Sequence, residues 1–263
     1  MLIYFTGTGN SLAVARKIAA ATGDRLLPLA KAVGTDLTAE TTVGLVYPCY
    51  DFNTPPAVRH LVDQLQISPS AYLFIVVTCG AQTGNSVWTV RRILRRKGVR
   101  VAYCHKIRMP DNSATLFGRN PNDQLWKLEK YAPRLQRIVD DVCSRRRANH
   151  FGAPGLAGWL TGIPAVERKL LGGFKPQVNP DLCIGCGLCV STCPISNISM
   201  VSAGGTPALH KSSNHAAIGT ACTACLGCLH VCPQQAIQVA GKPVPKERQY
   251  RHPDTRLPLN FKP

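Results

Sequence analysis

The sequence predicts an α/β protein, a doubly wound parallel sheet followed by a small α+β domain built on cysteines. Three observations carry this expectation. Apolar runs of strand length alternate with helical patterns up to about residue 107. The first apolar run ends in a glycine loop that opens a helix. Eight of the chain's twelve cysteines fall between Cys183 and Cys232.

A chain of 263 residues has room for two domains, one of ordinary size and one small. The expected division is 1–150, a connector at 151–173, and 174–263. No run of about 18 apolar residues is present, so no membrane-spanning helix is expected. The N-terminal Met1-Leu-Ile-Tyr-Phe runs straight into the glycine loop, without a charged leader or a cleavage site. A cysteine-rich chain without a secretory segment points to a reducing cytoplasm, where thiolates stay free for metal.

Residues 2–6 are apolar and end in Thr6-Gly7-Thr8-Gly9-Asn10-Ser11, and a helical pattern follows over 11–22. Further strands are expected at 25–29, 42–48, 73–79 and 99–105, and helices at 55–66 and 85–97, with 31–41 as loop. Runs such as Leu73-Phe-Ile-Val-Val read as parallel strands buried on both faces. A strand, a tight glycine loop and a helix N-terminus aim several N–H groups and a positive helix end at one point, which suits a phosphate.

Two familiar loops of this kind do not fit. The nucleotide P-loop needs Gly-Lys-Ser/Thr, which occurs nowhere in the chain. The dinucleotide fingerprint needs a third glycine where Leu12 stands.

The remaining pattern, T-x-T-G-N-S, resembles the FMN phosphate loop of flavodoxins, with Ser11 where that family more often has Thr. The resemblance implies a flavodoxin-like sheet of order 2-1-3-4-5 with its ligand past the carboxyl ends of strands 1, 3 and 4. It implies FMN phosphate held by Thr6, Gly7, Thr8, Gly9, Asn10 and Ser11. Ring contacts would come from Pro48, Cys49, Tyr50, Phe52 and Asn53, with Tyr50 or Phe52 stacking on the flavin. Cys79, Gly80, Ala81, Gln82 and Gly84 would add the third loop, which lacks the acidic residue many flavodoxins place there. Cys49, Cys79, Cys104 and Cys143 are scattered and read as small buried hydrophobes.

The cysteine-rich stretch repeats C-x2-C-x2-C-x3-C-P, first at Cys183, Cys186, Cys189, Cys193 and then at Cys222, Cys225, Cys228, Cys232. A zinc ribbon offers two cysteine pairs with a longer spacer instead. The repeated run resembles bacterial two-[4Fe-4S] ferredoxins from roughly Phe174 onward. In such proteins the fourth cysteine of each run ligates the other cluster. Cluster one would then take Cys183, Cys186, Cys189 and Cys232, and cluster two Cys222, Cys225, Cys228 and Cys193. Gly185, Gly187 and Gly227 would let backbone N–H groups approach the cluster sulfurs. His210, His215 and His230 have no assigned role, because eight cysteines satisfy two cubes. The chain as a whole resembles the flavodoxin–ferredoxin fusions of anaerobic microbes, and the resemblance implies electron transfer.

The formal charge of +17 is unlike that of small ferredoxins, which are commonly acidic. Two clusters and a flavin phosphate would lower it to roughly +11. Between Asn85 and His150 sixteen Lys and Arg face five Asp and Glu. An acidic redox partner is the expected counterpart. No nucleic-acid-binding signature accompanies the run. Residues 122–147 read as a long helix, 155–172 as an apolar helical stretch that packs on the first domain, and the tail from Lys242 as irregular.

No nucleophile or acid–base constellation stands out, so no catalytic residue is named. The expected role is passage of electrons between FMN and two [4Fe-4S] clusters. The alternatives are a flavin-dependent reductase of a small molecule, and an iron–sulfur sensor or nucleic-acid-binding protein with a flavin-free docking domain.

Overall fold

The computed structural model describes residues 1–202 and 214–255. β1 (Leu2–Tyr4) leads through the glycine loop into α1 (Asn10–Thr22). Next come β2 (Leu26–Pro28), α2 (Leu29–Ala32), β3 (Asp36–Leu37), β4 (Thr42–Pro48) and α3 (Pro56–Gln64). They are followed by β5 (Gln66–Ile67), β6 (Tyr72–Cys79), α4 (Trp88–Arg96) and β7 (Val101–Arg108). Two 3-10 turns then lead to α5 (Trp126–Cys143) and β8 (Ala148–Asn149).

The main sheet runs β2-β1-β4-β6-β7-β8, and every neighbouring pair is parallel. Counted among its own strands this is 2-1-3-4-5 with a sixth strand added at the edge. β6 is the most enclosed, with all eight residues buried. Side chains alternate between two apolar layers, as a strand's period of two requires. Ile3, Phe5, Leu45, Ile75 and Val77 pack under α3 and α4 with Leu61, Val90 and Leu94. Leu2, Val46, Phe74 and Val76 pack under α1 and α5 with Val14, Ile18, Ile138 and Val142.

Three short elements depart from the sequence expectation. α2 and β3 occupy the stretch read as loop, and β3 pairs in parallel with β5. β8 extends the sheet beyond β7. Two-residue strands show no period of their own, so only tertiary pairing defines them. The helix expected at 122–147 is shorter, because a 3-10 turn at Pro121–Gln124 precedes it and Arg145 takes a left-handed φ of 50° after it.

The stretch at 155–172 forms two helices, α6 (Gly155–Thr161) and α7 (Pro164–Gly173). α6 packs through its small residues Gly158 and Thr161, while Leu156 and Trp159 are 73% and 66% exposed. Arg59 grips Glu167 of α7 through two nitrogens at 2.6 and 2.8 Å.

The cysteine-rich part contains β9 (Pro176–Val178), α8 (Leu188–Thr192), β10 (Ile198–Ser202), β11 (Asn214–Ile218), β12 (Ile237–Val239) and β13 (Lys242–Pro243). β10 and β11 pair antiparallel, and β9, β12 and β13 form a second small antiparallel sheet. The stretch 201–207, whose Gly204-Gly205 reads as a hairpin turn, falls mostly outside the described residues, as do His210 and the tail beyond Thr255.

Gly44 sits in β4 directly over the Phe74 ring, where a Cβ would run into that ring. Gly44→Ala is therefore expected to destabilise the sheet by about 1–3 kcal/mol through overpacking. Phe74→Leu in the same chain should recover part of that loss, a non-additivity read from urea unfolding midpoints.

Candidate functional site

The two cysteine runs share three left-handed positions, although only the first forms a helix, α8. Gly185 and Ala224 hold φ at 70° and 55°, Gly187 and Leu226 at 71° and 60°, and Ser196 and Gln235 both at 53°. Glycine suits the first run, whereas Ala224 and Leu226 accept a left-handed backbone that costs about 1–2 kcal/mol each. Four residues after each run's last cysteine, a backbone N–H donates to its sulfur. Asn197 donates to Cys193 Sγ and Ala236 to Cys232 Sγ, both at 3.2 Å.

These turns gather the sulfurs into two groups. One small cavity is lined by Cys183, Cys186, Cys189 and Cys232. The other is lined by Cys193, Cys222, Cys225 and Cys228. Each group draws three cysteines from one run and one from the other. Burial first, then neighbouring thiols, push Cys189 up to about 11 and Cys225 up to about 12, and Cys228 also rises well above the usual range. Such thiols keep their protons until a metal replaces them. By residue type, number and N–H···S donors, both groups fit iron–sulfur cubes. The first group lies near the surface, with Cys186 exposed and Ile184 53% exposed. The second lies beneath the carboxyl edge of the main sheet.

The glycine loop is where the two parts meet. Thr6, Thr8 and Ser11 are buried. Gly9 N–H donates to Thr6 Oγ1 at 3.0 Å, and Ser11 Oγ shares a hydrogen bond of 2.8 Å with Thr78 Oγ1. A Cβ on Gly7 would strike the Cys225 carbonyl, and a Cβ on Gly227 would stand 2.7 Å from the Gly7 carbonyl oxygen. The tail covers the rest. Tyr250 is fully buried and its hydroxyl donates to Asn10 Oδ1 at 2.6 Å. His252 N–H donates to Thr8 O at 2.9 Å, and Thr255 lies against Gly9. Asn112 Nδ2 donates to Cys225 O at 3.2 Å.

The other two loops close on each other. Asn85 N–H donates to Phe52 O at 2.6 Å, and a Cβ on Gly84 would strike the Phe52 backbone. Gly80 is packed under Asp111, and its carbonyl accepts from Lys127 Nζ at 2.8 Å. Tyr50 sits edge-on to Phe5 with centroids 6.0 Å apart, and its buried hydroxyl has no partner. Burial, then Cys225 and Cys222, hold that hydroxyl well above its usual pKa. Phe52 is partly exposed, as are Ala81 and Gln82. Pro48 ends β4. Asn53 reaches the connector instead, donating to Thr161 O at 3.0 Å and to Glu167 Oε1 at 3.3 Å.

The residues at 6–11 thus match an FMN phosphate cradle by type. Cys225, Gly227, Tyr250, His252 and Thr255 pack against the same loop.

The Gly227 N–H bonds to the Cys225 thiol, as its place in the run suggested, and its missing Cβ also serves the contact with Gly7. Three expectations need correcting. Cys143 is exposed at the end of α5, unlike the buried Cys79 and Cys104. His230 has a structural role: its Nδ1 accepts from Tyr250 N–H and its Nε2 pairs with Asn112 O, both at 3.0 Å. The tail has definite partners over 250–255. Only its Tyr and His content hinted at this, since the contacts span some 240 residues of chain.

Residues 182–237 match the protein family described as 4Fe-4S dicluster domain. Two solved structures are similar to this chain. The flavodoxin of Streptococcus pneumoniae TIGR4 shares 12% identity at a TM-score of 0.38, over 55% of this chain and 97% of its own. A presumed flavoprotein from Bacteroides uniformis ATCC 8492 shares 12% at a TM-score of 0.35, over 41% and 88%. At that distance the fold assignment rests on the strand order itself. The chain joins a flavodoxin-like parallel sheet to a 4Fe-4S dicluster domain.

Gly227→Ala should force the two parts apart at the glycine loop. The expected result is faster proteolytic cleavage and faster amide exchange over 250–255, with the sheet's own exchange unchanged. Unaltered protection of the tail would show that the Gly7–Gly227 contact does not hold the seam.

Proposed function

We propose that this chain is an electron-transfer protein with two [4Fe-4S] clusters, exchanging electrons with a separate redox protein. Cluster one is held by Cys183, Cys186, Cys189 and Cys232, and cluster two by Cys222, Cys225, Cys228 and Cys193. The observation that carries this reading is the sorting of eight cysteines into two cavities, each drawing on both runs. Bound there, clusters of this type supply one-electron exchange. The chain's own residues hold the thiolates, direct N–H groups at Cys193 and Cys232, and leave Cys186 at the surface as the point of electron entry.

FMN belongs to this proposal at the glycine loop, in a form where the tail and Cys225–Gly227 have lifted away. The residue types at 6–11 support it. A second reading has a specific observation behind it: the packing of the tail and Cys225–Gly227 against the loop favours a flavin-free domain that docks the clusters. The parallel sheet and the absence of an acid–base constellation favour neither reading.

Anaerobic reconstitution with iron, sulfide and FMN separates them. Wild-type protein should take up about eight irons per chain. Cys193→Ser should disturb the spectrum of the enclosed cluster, and Cys232→Ser that of the exposed one. One FMN per chain supports the flavin-bearing carrier. Uptake by Gly227→Ala but not by wild type supports a loop that must open first. No uptake by either leaves the docking reading. Little or no iron in wild type sinks the carrier proposal outright.

The partner we propose is acidic. Arg91, Arg92, Arg95 and Arg100 line a cavity of about 610 Å³ beside the Trp88 ring. Among the described residues none of these four arginines makes an ion pair, and the Arg91 guanidinium lies 5.2 Å from the Trp88 ring centre. Unpaired positive charge around a concavity steers an acidic protein at low salt. With an acidic ferredoxin as reductant, Arg92→Glu/Arg95→Glu should slow reduction several-fold at about 50 mM salt. The difference should largely vanish at about 300 mM, where the Debye length is under 10 Å.

A further inference from the structure

The tail carries a buried charge that meets no carboxylate among the described residues. Arg251 lies between Tyr250, whose N–H is bound to His230, and His252, whose N–H is bound to Thr8. Its backbone is therefore pinned on both sides. Its side chain turns inward. Nη2 donates to Thr192 Oγ1 at 3.4 Å, and Thr192 is fully buried next to Cys193. Nε and Nη1 are shut off from solvent and have no hydrogen-bond partner among the described residues. Among the described residues no carboxylate pairs with Arg251.

An ion in such a place costs several kcal/mol unless an anion meets it. Cys225 is the side chain whose negative form attracts this guanidinium. Cys193 and Cys225 both line the second cavity, whose remaining wall is apolar or neutral. A four-iron cube held by four thiolates carries a net charge of about −2 when oxidised and one unit more when reduced. That anion would lie beside the unpartnered face of Arg251.

We propose that Arg251 is the counter-ion of cluster two and sets its potential above that of an otherwise similar cluster without the guanidinium. This rests on the cluster assignment above. A positive charge beside the cube stabilises the more negative, reduced form most, so it raises the potential. Arg251 acts as a positioning and tuning residue, since it ligates nothing. Because the same residue belongs to the segment covering the glycine loop, the cluster's charge also holds that cover in place.

The test is an EPR-monitored redox titration of reconstituted full-length wild type, Arg251→Gln and Arg251→Lys, with iron counted in each. In Arg251→Gln one of the two reduction waves should move to more negative potential while the other stays. In Arg251→Lys that wave should stay close to wild type, because the charge is kept. Should Arg251→Gln lose half of its iron and Arg251→Lys keep it, the charge is again what the cluster requires, which supports the proposal. Full iron with both waves unmoved in Arg251→Gln overturns it, as does equal loss of iron in both variants. The wild-type iron count separates the two levels of inference. A wild type that takes up no clusters overturns the assignment and the role of Arg251 together, whereas a fully loaded wild type with an indifferent Arg251→Gln overturns the role of Arg251 alone.

Discussion

Two glycines set the distance between the halves of this molecule. Gly7 and Gly227 meet with backbone against backbone, and neither position can take a side chain without moving the other. That approach places Cys225 beside the phosphate-type loop and Tyr50 beside the second cysteine group. Asn112, His230, Tyr250 and His252 then close hydrogen bonds around the same spot. A single added methyl group would lever apart several polar contacts whose donors and acceptors are already away from water. Buried groups left unpaired in this way cost more than the bonds gain.

The parts of the fold that were legible in the sequence are those with a local cause. Val43–Val46 and Leu73–Val77 are unbroken apolar runs because both faces of a central parallel strand are covered. The crossed grouping of the cysteines came from the resemblance to two-cluster ferredoxins, since the spacing of each run is the same whether the runs cross or not. β3, β5 and β8 were hidden because two residues carry no period. The covering of the loop at 6–11 was hidden for another reason. The loop's own residues read the same whether a ligand or a protein segment fills it. The discriminating atoms belong to residues 225–255. A local signal did exist at Gly227. The second run places its glycine one position later than the first run's Gly187, where the second run has Leu226. A glycine displaced from the left-handed position signals close approach by something else.

The two cysteine groups have unlike surroundings although their runs share three left-handed positions. The first opens to solvent beside Ile184 and Cys186. The second is walled by Pro176, Ile195, Ile198, Ile218 and Leu226. Solvent and fixed charge are the levers a protein has over a cluster, so identical ligands in unlike settings need not behave alike. The overall positive charge of the chain is distributed with the same asymmetry, since the unpaired arginines of α4 stand apart from the enclosed Arg251.

The segment 250–255 is made well after the loop it covers. At about 5–20 residues per second, roughly ten to fifty seconds of synthesis separate Ser11 from Thr255. Throughout that interval the nascent sheet presents an open cradle of N–H groups and hydroxyls. Once the tail has emerged, it competes for the cradle as a tethered occupant, at an effective concentration in the millimolar range. A small ligand of the loop therefore has no tethered competitor until the tail emerges, and has one afterwards. What the cradle contains can then depend on what was present while the chain was being born.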